Sequence, residues 1–358
     1  MQFRRALIIR FGGMGDILLA TPCIRALADA FPGIEIDFVV GGGMSESLTG
    51  NPLVRRVLVF DKRGVDSRLD HFAPFLWRLS REKYDLVVNL HPSAKSFLMA
   101  WATGAKTRVT FSKQMGVDPS TGRVAHAIDD FTKELRALGI AEVPDRHMDF
   151  VVPDAARESL SVKLRALGWR EDAQLLVINP AASRPINRWP LDRFQALAAH
   201  FAAMPNCLVM VTGAPRSFLT VMDGLDEVSL AAAVAGADAR IVDLAGKLTV
   251  KELGALLERA NTFLTCDTGP MHIGSAVGAP MVVLSGAADP DRTGPVGEDA
   301  TVLIDRTLSC VPCRDRTCAR GDVMCMQNLS VENVIAAVTE RLAWSVRRNR
   351  GRRLPMVS

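Results

Sequence analysis

Short apolar runs that close on Gly, Pro, Asp or Asn recur along this chain, with amphipathic helical patterns between them. Leu7-Ile8-Ile9, Ile34 to Val40, Val57 to Phe60 and Leu86 to Leu90 are the runs of the first part. The pattern weakens from about Ser112 to Ala127. It restarts at Leu175 to Asn179 and continues through Leu208 to Gly213, Ile241 to Leu244, Thr262 to Thr265 and Met281 to Leu284. Runs this short and this uniformly apolar read as strands covered on both faces, and their alternation with helices predicts parallel α/β sheets. Two such rhythms in 358 residues predict two doubly wound, Rossmann-like domains, each with its own core. We place the first at 1–155 and the second at 172–330, with a final helix and basic tail at 331–358. That helix, Val331 to Val346, is expected to pack back across the first domain.

Composition excludes several classes. With 48% hydrophobic and 23% charged residues the chain is neither disordered, collagen-like nor a disulfide-dense mini-protein. The net charge of +4 is concentrated: six arginines follow Glu340 without an acid, so the body is close to neutral. That body is a poor nucleic-acid binder, whereas the tail suits weak contact with an anionic membrane or is simply solvated. No stretch reaches the roughly 20 apolar residues of a membrane span. The opening Met1 to Arg10 lacks a small-residue cleavage site. The expectation is a cytoplasmic protein with reduced cysteines, of which Cys23, Cys207 and Cys266 act as small buried hydrophobes.

Phe11-Gly12-Gly13-Met14-Gly15-Asp16 is a glycine turn between strand and helix, where backbone N–H groups at Gly13 and Gly15 can approach an anion. It is not G-x-G-x-x-G, because Leu18 stands at the third glycine position. The next strand also ends in glycines rather than a ribose-binding acid, which argues against a nicotinamide dehydrogenase. Asp16 reads equally well as a helix cap and as a catalytic carboxylate. Cys266-Asp267-Thr268-Gly269-Pro270-Met271-His272 is more specific. Asp267 or Thr268 caps, Pro270 suits the first turn, and the N–H groups of Thr268 and Gly269 are open to phosphate, with His272 one turn in. Asn179 to Ser183, followed by Asn187-Arg188-Trp189-Pro190, adds a hydroxyl and a guanidinium suited to phosphate. Cys310, Cys313, Cys318 and Cys325 form C-x2-C-x4-C-x6-C. Four close thiols read either as a structural metal site, zinc or iron, or as free thiols, and the spacing is irregular for a zinc ribbon.

Four pieces in this order resemble glycosyltransferase family 9, the ADP-heptose:lipopolysaccharide heptosyltransferases, over about residues 5–340. They are Arg10 to Pro22, Arg188 to Phe194, Asp267 to Pro280, and Asp289 to Pro295 with the following Cys310-Val311-Pro312-Cys313. The resemblance implies a two-domain GT-B fold facing a central cleft, with the donor held mainly by the second domain. It implies inverting, metal-independent transfer of a heptose from a nucleotide diphosphate to a lipid-linked core sugar. It places Asp16 on the family's general base, Ser183 and Arg188 on donor diphosphate contacts, and Asp267, Thr268, Gly269 and His272 in the donor pocket. Where relatives carry a nucleoside-contacting acid after the position of Gly213, this chain has Ala214-Pro215-Arg216-Ser217, which leaves the nucleotide open. Ala287-Ala288 stands where Pro-Thr is common, a loop variation.

The implied chemistry is coherent. Glycosyl transfer needs a base on the attacking hydroxyl and stabilisation of the departing phosphate. Without a D-x-D metal site, a cation and helix N-termini must supply the second. The alternatives are a sugar-nucleotide epimerase, which consumes donor without acceptor, and a non-catalytic nucleotide-sugar binder. The partners expected are a nucleotide-sugar donor and a lipid-linked acceptor at the inner face of the cytoplasmic membrane, with no nucleic acid.

Overall fold

The computed structural model describes residues 2–61, 68–112, 124–143, 145–170, 173–182, 184–215 and 226–352. They form two compact units, Met1–Val151 with Asp291–Thr293, and Val152–Pro290 with Gly294–Ser358.

The first unit runs β1 (Arg5–Ile9), α1 (Met14–Leu18), α2 (Thr21–Ala30), β2 (Glu35–Gly41), β3 (Val54–Phe60), α3 (Leu69–Arg81), β4 (Leu86–Asn89), α4 (Ala94–Ala102), β5 (Thr107–Thr110) and α5 (Ala127–Lys133). Its five strands are parallel in the order β3-β2-β1-β4-β5. The predicted runs sit on the central strands, and Ala6 to Ile9 and Leu86 to Asn89 are wholly buried against each other. Phe11, Phe60, Phe72, Phe75, Leu79 and Met99 cluster around Leu7 and Ile9 on one side of the sheet.

The second unit begins with α6 (Asp154–Ala166), then β6 (Gln174–Asn179), α7 (Leu191–Ala202), β7 (Cys207–Val211), α8 (Glu227–Ala235), β8 (Ile241–Asp243), α9 (Val250–Arg259), β9 (Thr262–Cys266) and α10 (Gly269–Ala276). After β10 (Met281–Ser285) come the short α11 (Pro290–Thr293), whose Asp291–Thr293 belong to the first unit, then β11 (Ala300–Ile304), α12 (Met324–Gln327) and α13 (Val331–Arg352). Its six parallel strands take the order β11-β10-β9-β6-β7-β8. The unit starts earlier than the sequence boundary at 172, because α6 packs on α9. Ser159 donates to Glu252 at 2.6 Å, and Arg157 pairs with Glu258 at 2.8 Å.

The final helix corrects the sequence expectation. α13 packs on α7, β9, β10 and β11 of the second unit. Val334, Val338 and Leu342, one turn apart, are buried in the core that holds Trp189, Leu264 and Val282, and that apolar stripe decides its place. Among the described residues no helix is long and apolar enough to cross a membrane.

Each sheet reverses its winding once. In the first, β1 to β3 run outward on one side and β4 returns to the other side of β1. In the second, β6 to β8 run one way and β9 returns beside β6. At such a point the loops leaving two neighbouring strands turn apart and open a crevice at their carboxyl ends, where doubly wound sheets hold ligands.

Candidate functional site

At the reversal in the first unit, the loop after β1 carries Gly12 to Asp16. Gly13 is the extended N-cap of α1, and Asp16 is the third helical residue. The carboxylate reaches back, Oδ2 accepting the Gly13 N–H at 3.0 Å. Asp16 is therefore not the cap residue that the sequence offered as one reading; it is the acid that satisfies the cap's own N–H. Gly12 makes room for this, since a Cβ there would lie 2.3 Å from Asp16 Oδ2. Oδ1 takes the Arg10 guanidinium at 2.5 Å. Arg10 is itself held by the Leu90 carbonyl at 2.7 Å, from the loop after β4, and lies over the Phe131 ring at 4.8 Å. Beside it His91 packs on Phe11, with ring centroids 4.1 Å apart. The Arg10 side chain is 14% exposed and that of Asp16 44%. The result is a solvent-facing carboxylate oriented by a buried cation, an arrangement fit to accept a proton from a bound hydroxyl.

Arg10 was missed as a functional residue. Its signal was a cation immediately after a buried strand and before a glycine turn, the strand end at which polar side chains face a ligand.

At the reversal in the second unit, β6 and β9 pair with Asn179 beside Thr265, so the loops that follow leave from adjacent points. After β9, Thr268 is the N-cap of α10, its hydroxyl accepting the Met271 N–H at 3.4 Å and lying 3.1 Å from the Thr265 hydroxyl. Gly269 and Pro270 open the helix, and His272 is buried within its first turns. After β6, a short turn at Pro185–Asn187 leads to Arg188, followed by Trp189, which has no exposed surface and donates Nε1–H to the Leu329 carbonyl at 2.8 Å. That anchor holds Arg188 at the mouth of the strand. The Cys266 thiol is pushed up to about 12, by burial above all and by Asp267, against the lowering effect of the Trp189 backbone N–H and the Arg188 guanidinium. Arg188 and Asp267 thus both act on one buried sulfur, and the structure brings together two sequence motifs that lie far apart in the chain. A guanidinium and a helix N-terminus at one crevice suit a diphosphate. Ser183 lies outside the described residues.

Gly213 follows β7 and is packed so closely that a Cβ would meet the Glu227 carbonyl at 2.9 Å. The acid missing from the sequence after Gly213 has a neighbour in space: Glu227, at the start of α8, accepts the Ala214 N–H at 2.7 Å. Burial raises its carboxyl above the usual range, partly offset by that N–H. Arg216 and Ser217 lie outside the described residues.

Cys310, Cys313, Cys318 and Cys325 line one small cavity of about 60 Å³. All four are free thiols. Backbone N–H groups of Val323, Arg320 and Gly321 hold the Cys318 thiol below its usual value, whereas burial raises that of Cys325. Among the described residues no three or more His, Cys, Asp or Glu side chains are grouped to hold a metal ion. The segment is tied to the loop after β6, where Arg184 donates to the Arg314 and Asp315 carbonyls at 2.8 Å.

Residues 74–324 match the family model described as glycosyltransferase family 9 (heptosyltransferase). Lipopolysaccharide heptosyltransferase 3 of Escherichia coli K12 is 26% identical over 288 residues, 77% of this chain and 80% of that protein. A glycosyl transferase family 9 structure from Veillonella parvula superposes with a TM-score of 0.81 at 22% identity, covering 96% of this chain and 98% of that one. The E. coli heptosyltransferase WaaC with ADP gives a TM-score of 0.67 at 20% identity, over 94% and 99% of the two chains.

Proposed function

The chain belongs to glycosyltransferase family 9, the heptosyltransferases, and on that premise we propose that it transfers a heptose from ADP-heptose to a sugar of the lipopolysaccharide core, with inversion and without a catalytic metal. The observations that carry this reading are two equipped sheet reversals, one in each unit. One presents Asp16 held by Arg10; the other presents Arg188 beside the N-terminus of α10.

In the proposed reaction an acceptor hydroxyl attacks the anomeric carbon of the donor. The new glycosidic C–O bond forms as the bond from that carbon to the diphosphate oxygen breaks, so one displacement inverts the centre. Asp16 Oδ takes the hydroxyl proton as the oxygen becomes nucleophilic, and Arg10 keeps the carboxylate aimed. The leaving diphosphate carries the negative charge that develops. Arg188 and the N–H groups at Thr268 and Gly269 are fixed before the reaction and stabilise that charge without reorganising. Asp267 and His272 complete the donor pocket in this reading. The lipid-linked acceptor puts the enzyme at the inner face of the cytoplasmic membrane, where the arginines after Glu340 favour an anionic surface.

The test is turnover of ADP-heptose with a lipid A–core acceptor, read by mass spectrometry as addition of one heptose. Asp16→Asn should lower kcat by about 10²–10⁴ with donor affinity unchanged. Normal kcat in that variant would remove Asp16 from the base role. Donor consumed at the same rate without acceptor would mean an epimerase instead.

A further inference from the structure

Trp77, Phe97, Leu98 and Trp101 are 63%, 49%, 48% and 72% exposed, and they sit on two helices of the first unit, α3 and α4, that pack side by side. Helix α4 is Ala-Lys-Ser-Phe-Leu-Met-Ala-Trp-Ala. Its inner face, Ser96, Met99 and Ala100, is buried against the sheet, so Phe97, Leu98 and Trp101 present a second apolar face outward. A helix apolar all round normally lies inside a protein or a membrane. On α3, Trp77 and its neighbour Arg78 line a cavity of about 590 Å³ with Val59 of β3.

The charge along α4 and the segment after it has one sign. From Leu86 to Val117 the sequence holds Lys95, Lys106, Arg108 and Lys113 and no acid. Arg78, Arg81, Lys106 and Arg108 are exposed and take part in none of the ion pairs among the described residues. Arg81 lies over the Trp77 ring at 5.6 Å. Exposed tryptophans mixed with arginine and lysine are the composition of a membrane interface, the rings at headgroup depth and the cations on anionic phosphates. A second copy of the chain would set these cations against their own like charges, whereas an anionic bilayer complements both the rings and the cations.

We infer that the outer faces of α3 and α4 are a docking surface for an anionic lipid bilayer. Its residues are others than those of the basic C-terminal tail and of the two sheet reversals. It rests on the transfer reading only for its purpose, which is to bring the enzyme to a lipid-linked acceptor.

The experiment is co-sedimentation of the full chain with vesicles of phosphatidylethanolamine and phosphatidylglycerol, without donor or acceptor, so that an error in the transfer reading leaves the result untouched. Phe97→Ser with Trp101→Ser, both exposed, should lower the vesicle-bound fraction by on the order of tenfold or more. Arg78→Gln with Arg81→Gln should weaken binding to these vesicles but not to pure phosphatidylcholine ones. Tryptophan emission should shift to the blue with vesicles in the wild type and less after Trp101→Ser. Circular dichroism and the melting point confirm that each variant is folded. Equal vesicle binding by wild type and the folded aromatic variant would overturn the inference. So would a concentration-dependent dimer of the wild type that the aromatic substitutions abolish, which would assign the face to a second copy.

Discussion

Gly12 has no side chain because the carboxylate of Asp16 occupies the space one would fill. An added Cβ would stand 2.3 Å from Oδ2 and 2.6 Å from Asp16 Cβ, and neither can retreat without leaving Arg10 or the Gly13 N–H. Gly12→Ala is therefore expected to move the carboxylate by about 1 Å and to lower kcat by roughly 10²-fold, since misplacements of that size cost about this much. The melting point should fall only slightly, as α1 is short and its cap is partly exposed. Unchanged kcat in a folded Gly12→Ala protein would show that the position of Asp16 does not govern turnover. At this scale Asp16 was legible from its motif, but Arg10 was not. Its role depends on the Leu90 carbonyl and the Phe131 ring, which the fold supplies from distant segments.

Among the elements, β2 carries an ion network that periodicity did not announce. Asp37 has no exposed surface and receives Arg55 at 2.6 and 2.9 Å, Arg56 at 2.8 Å and the Tyr84 hydroxyl at 2.6 Å. Burial alone would raise its carboxyl, but these three partners outweigh it and hold it below the usual range. A carboxyl with a depressed folded pKa contributes stability that is present above its unfolded value, about 3.9. That contribution is lost as pH falls through the folded value. Asp37→Asn should cost about 1.5–3 kcal/mol at neutral pH by removing the buried charged acceptor of the Arg55, Arg56 and Tyr84 hydrogen bonds. Its stability should then fall less steeply than that of the wild type below about pH 4. Parallel acid-unfolding curves for the two proteins would contradict this. The cysteine segment between β11 and α13 supports a second prediction. Its four thiols line one cavity, and if they form a structural site, freshly reduced, folded protein carries about one tightly held zinc or iron ion per chain. Metal analysis that finds none would decide for plain thiols. Two strands, β5 and β11, went unread in the sequence. Both are sheet edges and only partly buried, so neither carries the uniform apolar run that marks a covered strand.

For the molecule as a whole, the sequence by itself determined two parallel α/β units and the glycine- and threonine-bearing turns that follow β1 and β9. The reason is local: covered strands need unbroken apolar runs, helices need a stripe every three to four residues, and anion-binding turns need Gly, Thr or Asp at fixed offsets. The family was legible for the same reason, because its motifs are contiguous stretches whose order along the chain is preserved. The helix after Ser330 shows the limit. Its apolar stripe announced that it packs, but its partners, β9, β10 and α7, were settled only by which core lacked Val334, Val338 and Leu342. Only the tertiary structure decided which loops meet. Arg188 and Asp267 both act on the Cys266 thiol because β9 inserts beside β6, and Arg10 reaches Leu90 because β4 inserts beside β1. These pairings join segments far apart in the chain, and their strength comes from buried backbone hydrogen bonds and side-chain packing that local periodicity does not encode.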